Sequence, residues 1–227
     1  MVLLLLILLV IVILFVLALS WWLWGRTHSR YIWEGRSELQ KIAPRVALLD
    51  SHWEVIRDEA LALYNDKSRW GSELVRASTT WTGSDGDDLD DFTDIIKGEQ
   101  KWFTAWSGGG WKNFGLIKGD KALTDLCPCT TRLLKGLGGI RIAGFSLLEP
   151  GAGIDPHTDS TGLLTNSLSY HLGLVTPPGC TLNINGRIVK QGEGKAFCFD
   201  SNRLHSASNS SDKPRIILYM DIELKKS

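Results

Sequence analysis

His157 and Asp159 stand one residue apart behind Pro156, and His205 follows about one hairpin pair further along. Two imidazoles and a carboxylate can occupy one face of an octahedral metal. The remaining positions then stay open for a bidentate co-substrate and dioxygen, as a non-haem Fe(II) oxygenase requires. A lone His-x-Asp is common by chance, and its plain alternative is a loop histidine whose proton a nearby carboxylate accepts. The residues downstream strengthen the set. Phe197-Cys198-Phe199-Asp200 reads as a strand, His205 follows it, and Arg215 opens the last strand. On alternation with Ile217 and Tyr219, Arg215 projects inward, where its guanidinium can clamp a dicarboxylate with two hydrogen bonds. Taken alone, Arg215 reads equally well as a surface charge at a strand end.

These residues need a β scaffold, and the second half of the chain supplies one. Short β-rich runs at Ile140 to Leu148, Ser169 to Val175, Thr181 to Ile184, Ala196 to Phe199 and Arg215 to Ile222 are separated by Pro-Gly, Asn-Gly and Gly-Glu-Gly turns. Such spacing predicts an antiparallel sandwich or jelly roll. Asn185-Gly186 is a good two-residue hairpin turn. Ahead of the strands, Ser51 to Asn65 reads as a helix, with a capping box from Ser51 and Glu54 and an apolar stripe of Trp53, Ile56, Ala60 and Leu63. The fold class is therefore mainly β with N-terminal helices. The aspartates between Gly83 and Asp94 lack the terminal glutamate of an EF-hand and read as a solvated loop. No phosphate-binding glycine loop follows a strand, so nucleotide cofactors have no support.

Lysines plus arginines equal aspartates plus glutamates at 25 each, which gives no global field for nucleic acid. Val2 to Ser20 is an uncharged apolar run, and Trp21, Trp22 and Trp24 follow it. Residues 2–24 are long enough for one N-terminal transmembrane helix, with the indoles at the interface. A cleaved signal peptide is the rival, but the run is long, has no basic flank before it and no A-x-A site after it. Arg26, Arg30, Arg36, Lys41 and Arg45 then predict a single-pass membrane protein with a cytoplasmic catalytic domain. The expected organisation is an anchor at 1–25, a stalk at 26–50 and a catalytic domain at 51–227. Cys127, Cys129, Cys180 and Cys198 read as reduced structural thiols, because Cys127-Pro128-Cys129 is neither a redox nor a zinc spacing. The sequon at Asn209 matters only if the domain is lumenal.

Several segments carry a resemblance. Phe145-Ser146-Leu147-Leu148-Glu149-Pro150-Gly151, Pro156-His157-Thr158, Tyr170-His171-Leu172-Gly173-Leu174-Val175, His205 and Pro214-Arg215-Ile216-Ile217-Leu218 resemble, in order, the core of the aspartyl/asparaginyl β-hydroxylases. The helix around Trp53 to Glu59 and the Trp111-Lys112-Asn113-Phe114 segment resemble that family's N-terminal part. The resemblance implies a double-stranded β-helix, cupin-like, with Fe(II), 2-oxoglutarate as co-substrate and dioxygen, and with ascorbate as a supporting reductant. It implies hydroxylation of a protein or lipid substrate. His157 and His205 would ligate iron, Ser146 and Arg215 would hold the distal carboxylate of 2-oxoglutarate, and His171 its other end. Asp159 stands where the animal peptide hydroxylases have no carboxylate ligand, which is closer to the bacterial membrane-anchored relatives that hydroxylate lipid A. Ser169 stands where the family usually has an arginine, so either Arg141 substitutes or the grip is altered. The competing expectations are a non-catalytic binding or scaffold protein with a decayed co-substrate site, and a metal-storage or sugar-binding cupin, which has no need of Arg215.

Overall fold

Alternation along two strands decides how the domain is built. In a computed structural model describing residues 2–28, 31–74, 100–104, 110–159 and 167–223, β8 (Ser167–Val175) and β13 (Arg215–Glu223) lie side by side in the middle of a large sheet. Their even-numbered side chains, Leu168, Tyr170, Leu172, Leu174, Ile216, Leu218, Met220 and Ile222, enter the main apolar core. Successive strand residues face opposite sides, so Ser169, His171, Arg215, Ile217, Tyr219 and Asp221 share the other face. Most of that face is also buried, yet it is largely polar. A sheet whose second face is polar and dry encloses a site.

The large sheet runs β1-β11-β8-β13-β6-β4-β3-β2, with β5 on β4. Its remaining members are β1 (Ile32–Glu34), β2 (Trp70–Leu74), β3 (Trp102–Thr104), β4 (Trp111–Lys118), β5 (Lys121–Ala122), β6 (Ile140–Leu148) and β11 (Ala196–Phe199). A small sheet, β10-β9-β12-β7, comprises β7 (Gly153–His157), β9 (Cys180–Ile184), β10 (Arg187–Lys190) and β12 (His205–Asn209). The β9–β10 hairpin turns at Asn185 and Gly186, both with positive φ (49° and 87°), as a type I′ turn demands.

Helix α1 covers Val2–His28, and the chain divides into two units, residues 1–31 and 32–227. Within the second unit, α2 (Arg36–Ile42), α3 (Trp53–Asn65) and α4 (Pro128–Leu137) accompany the large sheet. Ile56, Ala60 and Leu63 of α3 enter the core, as the stripe predicts. The predicted capping box does not form. A 3-10 turn (Val46–His52) runs straight into α3, and the Ser51 hydroxyl donates back to the Leu48 carbonyl at 2.6 Å. The start of α4 is capped from afar, since the Glu59 carboxylate accepts from the Cys129 and Thr130 amides (2.9 and 2.8 Å) and the Thr130 hydroxyl (2.6 Å).

The expectation of a transmembrane helix at residues 2–24 requires correction: among the described residues no helix is long and apolar enough to cross a membrane. The fold is a two-sheet β fold with N-terminal helices. The aspartate-rich stretch from Gly83 to Asp94 lies outside the described residues. All four cysteines are free, and Asn209 is a buried structural residue whose amide donates to the carbonyls of Leu148, Glu149 and Lys213.

Candidate metal centre and anion pocket

Antiparallel pairing brings the two predicted histidines together: His157 ends β7, His205 opens β12, and the register places them directly opposite each other. The register shifts just after His205, and such a bulge re-aims a side chain at a sheet's edge. Their rings lie 4.3 Å apart. Asp159, two residues beyond the strand, is tied down by its amide, which donates to the Ser201 carbonyl at 3.0 Å. Its Oδ1 then lies 3.6 Å from His157 Nε2 and 3.8 Å from His205 Nε2. One ligand atom from each residue falls within 4.8 Å of the other two.

Backbone carbonyls fix which ring nitrogen faces this cluster. His157 Nδ1 lies 2.7 Å from the Asp155 carbonyl and His205 Nδ1 lies 2.9 Å from that of Arg203. A carbonyl only accepts, so each Nδ1 carries a proton, and in a neutral ring that leaves the Nε2 lone pair facing the cluster. Burial holds the His205 pKa below the usual imidazole value against the opposing pull of Asp159. Neutral imidazoles and one carboxylate form the donor set that suits Fe(II).

The other predicted residues lie on the polar inner face of the large sheet. Ser146 on β6 pairs with Ile217, and its oxygen accepts the Trp111 indole N–H at 2.9 Å. His171 is buried between the edges of Phe197, Phe199 and Tyr219, with ring separations of 5.3, 5.2 and 5.7 Å. Phe199 also touches His205, so one aromatic wall joins the pocket to the metal cluster. Burial, and then the nearby Arg215 charge, push the His171 pKa well below its usual value. Arg215 is 1% exposed, burial brings its pKa down to about 10, and its Nη1 has no hydrogen-bond partner among the described residues. An orphaned guanidinium nitrogen in a dry pocket is costly unless an anion completes it.

Arg141 does not turn toward this pocket as a lone cation. Its Nη1 donates to Asp221 Oδ2 at 3.0 Å, and Asp221 lies opposite Ser169 in the register. Burial raises the Asp221 pKa to about 7 despite Arg141. Two further residues that meet at this face, Asn113 on β4 and Gln191 just beyond β10, carried no signal as site residues. Asn113, 1% exposed, has an Nδ2 without a partner among the described residues, and Gln191 bridges Arg215 and His171. Asn113 sits in a segment that resembles the family, but nothing in the glycine-flanked turn around Gln191 signals a site residue.

The family model described as Aspartyl/Asparaginyl beta-hydroxylase matches residues 50–224. Similar proteins include an uncharacterised protein of Acanthamoeba polyphaga mimivirus, 29% identical over 184 residues, which are 78% of this chain and 64% of that one. The ornithine lipid ester-linked acyl 2-hydroxylase of Rhizobium tropici is 32% identical over 117 residues, 49% of this chain and 41% of its own. Human aspartyl/asparaginyl beta-hydroxylase is 29% identical over 181 residues, 78% of this chain and 21% of its own. The chain thus spans less than two-thirds of the length of these relatives. Among solved structures, an oxidoreductase of the 2OG-Fe(II) oxygenase family from Burkholderia pseudomallei aligns over 61% of this chain and 79% of its own, at 12% identity and a TM-score of 0.40. Because that model matches residues 50–224, a stretch that contains both histidines, Asp159 and Arg215, the chain belongs to the aspartyl/asparaginyl beta-hydroxylase family.

Proposed function

We propose that the protein is an Fe(II)- and 2-oxoglutarate-dependent dioxygenase that hydroxylates a peptide Asp or Asn side chain or a lipid acyl chain. The observation that carries this reading is the convergence of His157, Asp159 and His205 within 4.8 Å, with the tautomers of both histidines fixed for ligation. In it, the two Nε2 atoms and the Asp159 carboxylate hold the iron. Arg215 and Ser146 bind the distal carboxylate of 2-oxoglutarate, Nη1 supplying a donor left without a partner among the described residues, and His171 donates to the other end. Phe197 and Phe199 keep water away from the space between the two groups. Iron and 2-oxoglutarate together supply the oxidising chemistry, in which one oxygen atom of dioxygen enters the substrate and 2-oxoglutarate becomes succinate and carbon dioxide.

The substrate classes come from the names of two similar proteins, a lipid acyl 2-hydroxylase and an aspartyl/asparaginyl hydroxylase. Succinate release from 2-oxoglutarate by the Fe(II)-loaded protein, with and without ascorbate, tests the reaction. No succinate with any peptide or lipid pool, together with no Fe(II) binding, would refute it. Mass spectrometry of proteins and lipids for the gain of one oxygen, in cells with and without the gene, separates the two substrate classes.

A further inference from the structure

Three histidines line the site, and hydrogen-bond partners sort them into two kinds. His157 and His205 face carbonyls and so carry protons on Nδ1. His171 faces Gln191 instead, with 3.4 Å between its Nδ1 and the amide Nε2. The same amide approaches Arg215 Nε at 2.7 Å through Oε1. Arginine has donors only, so the atom facing Arg215 must be the amide oxygen, and the atom facing His171 must be the NH2 group, which only donates. His171 Nδ1 must therefore accept, which leaves the ring proton on Nε2. The depressed pKa of the buried His171 keeps the ring neutral, so the choice of tautomer is a real one.

Resting on the oxygenase reading above, we infer that Gln191 is a positioning residue for the co-substrate pocket: it sets His171 as an Nε2–H donor and occupies Arg215 Nε, leaving Nη1 for an anion. One carboxamide thereby gives two pocket residues their donor faces, and a dicarboxylate meets N–H groups rather than a lone pair. The scaffold holds Gln191 for this task. Its own amide donates to the Cys180 carbonyl at 3.2 Å. The turn that follows is laced to β8, with Gly173 N–H donating to Lys195 O at 3.0 Å and Gly194 N–H to Gly173 O at 2.9 Å. A Cβ on Gly173 would collide with the Gly192 carbonyl oxygen, so this close approach requires the absence of a side chain.

The inference is tested on the full-length, metal-free protein labelled with 15N-histidine, whose His171 signals are assigned by their loss in His171→Gln. Long-range 1H–15N spectra at neutral pH should show His171 as the Nε2–H tautomer. In Gln191→Glu both carboxylate oxygens accept, so His171 should switch to Nδ1–H or become cationic. Gln191→Met, similar in volume, should give a tautomer mixture without loss of fold. Loss of one oriented hydrogen bond typically costs about tenfold in binding, so 2-oxoglutarate affinity of the Fe(II) protein should fall at least about that much in Gln191→Glu and less in Gln191→Met. Fe(II) affinity and kcat at saturating co-substrate should change far less. An Nδ1–H proton on His171 in the wild type, or an unmoved tautomer in Gln191→Glu, overturns the inference even if the enzyme turns over. A switch in tautomer with no 2-oxoglutarate binding in any variant upholds the role of Gln191 in setting His171 and sinks the oxygenase reading instead.

Discussion

At the scale of single residues, the site depends on charge balance in a dry pocket. Removing an imidazole leaves one nitrogen donor and the carboxylate, whereas removing the carboxylate leaves both nitrogen donors. His157→Ala and His205→Ala should therefore abolish Fe(II) binding measured by anaerobic titration, and Asp159→Ala should weaken it less. Equal affinity in all three variants and the wild type would dismiss the triad. For the anion pocket, truncating one partner of a buried charge pair costs about 2–5 kcal/mol, so Arg215→Ala should raise the KM for 2-oxoglutarate on the order of 100-fold while that for the prime substrate barely moves. Arg215→Lys should recover part of the loss, because it keeps the charge without the planar fork. The convergence of His157, Asp159 and His205 and the inward burial of Arg215 could be anticipated from the sequence, because these types are rare together at such spacing. Gln191 could not, since a glutamine in a turn looks the same whether it orders a pocket or faces water.

At the scale of elements, the strands were easier to read than their edges. Ile140–Leu148 and Ala196–Phe199 match their predicted bounds because turn residues flank them. β7 and β12, which carry the two histidines, were not predicted as strands; their pairing is specified by partners distant in sequence, through the register of His157 with His205. A strand polar on one face ordinarily faces solvent, whereas the polar face of β8 and β13 is mostly buried. The Ser51–Glu54 box failed because its local bonds competed with a 3-10 turn that already satisfied the backbone. The long-range cap from Glu59 to α4 has no sequence signature at all. Charged caps of this kind are worth about 2 kcal/mol, so Glu59→Ala should lower stability by roughly that amount in urea titrations with the m-value unchanged. A loss below a few tenths would show the cap to be idle.

At the scale of the whole molecule, the interior of the large sheet should give stability a dependence on pH. Burial raises the Asp221 pKa from its ordinary value of 3.8 to about 7, with Arg141 opposing the shift less strongly. A carboxyl whose folded pKa lies above its unfolded one binds its proton more tightly in the native state. Its stabilisation is complete below the unfolded pKa and is lost as pH rises through the folded one, so the wild type should lose stability relative to Asp221→Asn between about pH 4 and 7. The loss should be on the order of a few kcal/mol, read from denaturation midpoints across that range. A constant difference between the two proteins would mean that Asp221 is ionised throughout. Composition and charge gave no support for a nucleic-acid surface and no hint of this buried carboxyl, because an aspartate late in a strand reads as an edge residue until the second sheet is in place.

The burial of the free thiols has a consequence for durability. Chemistry that activates dioxygen releases peroxide whenever turnover uncouples, and the first side chains to suffer are thiolates, since oxidation to sulfenic acid follows thiolate character and exposure. Cys127 and Cys198 are fully buried, Cys180 is 3% exposed, and burial raises the pKa of all three. Cys129, beside Arg132, is the one thiol of the four that is partly exposed. Brief treatment of the native protein with iodoacetamide or dilute peroxide should mark Cys129 alone, and in Cys129→Ser the three remaining buried thiols should resist both reagents.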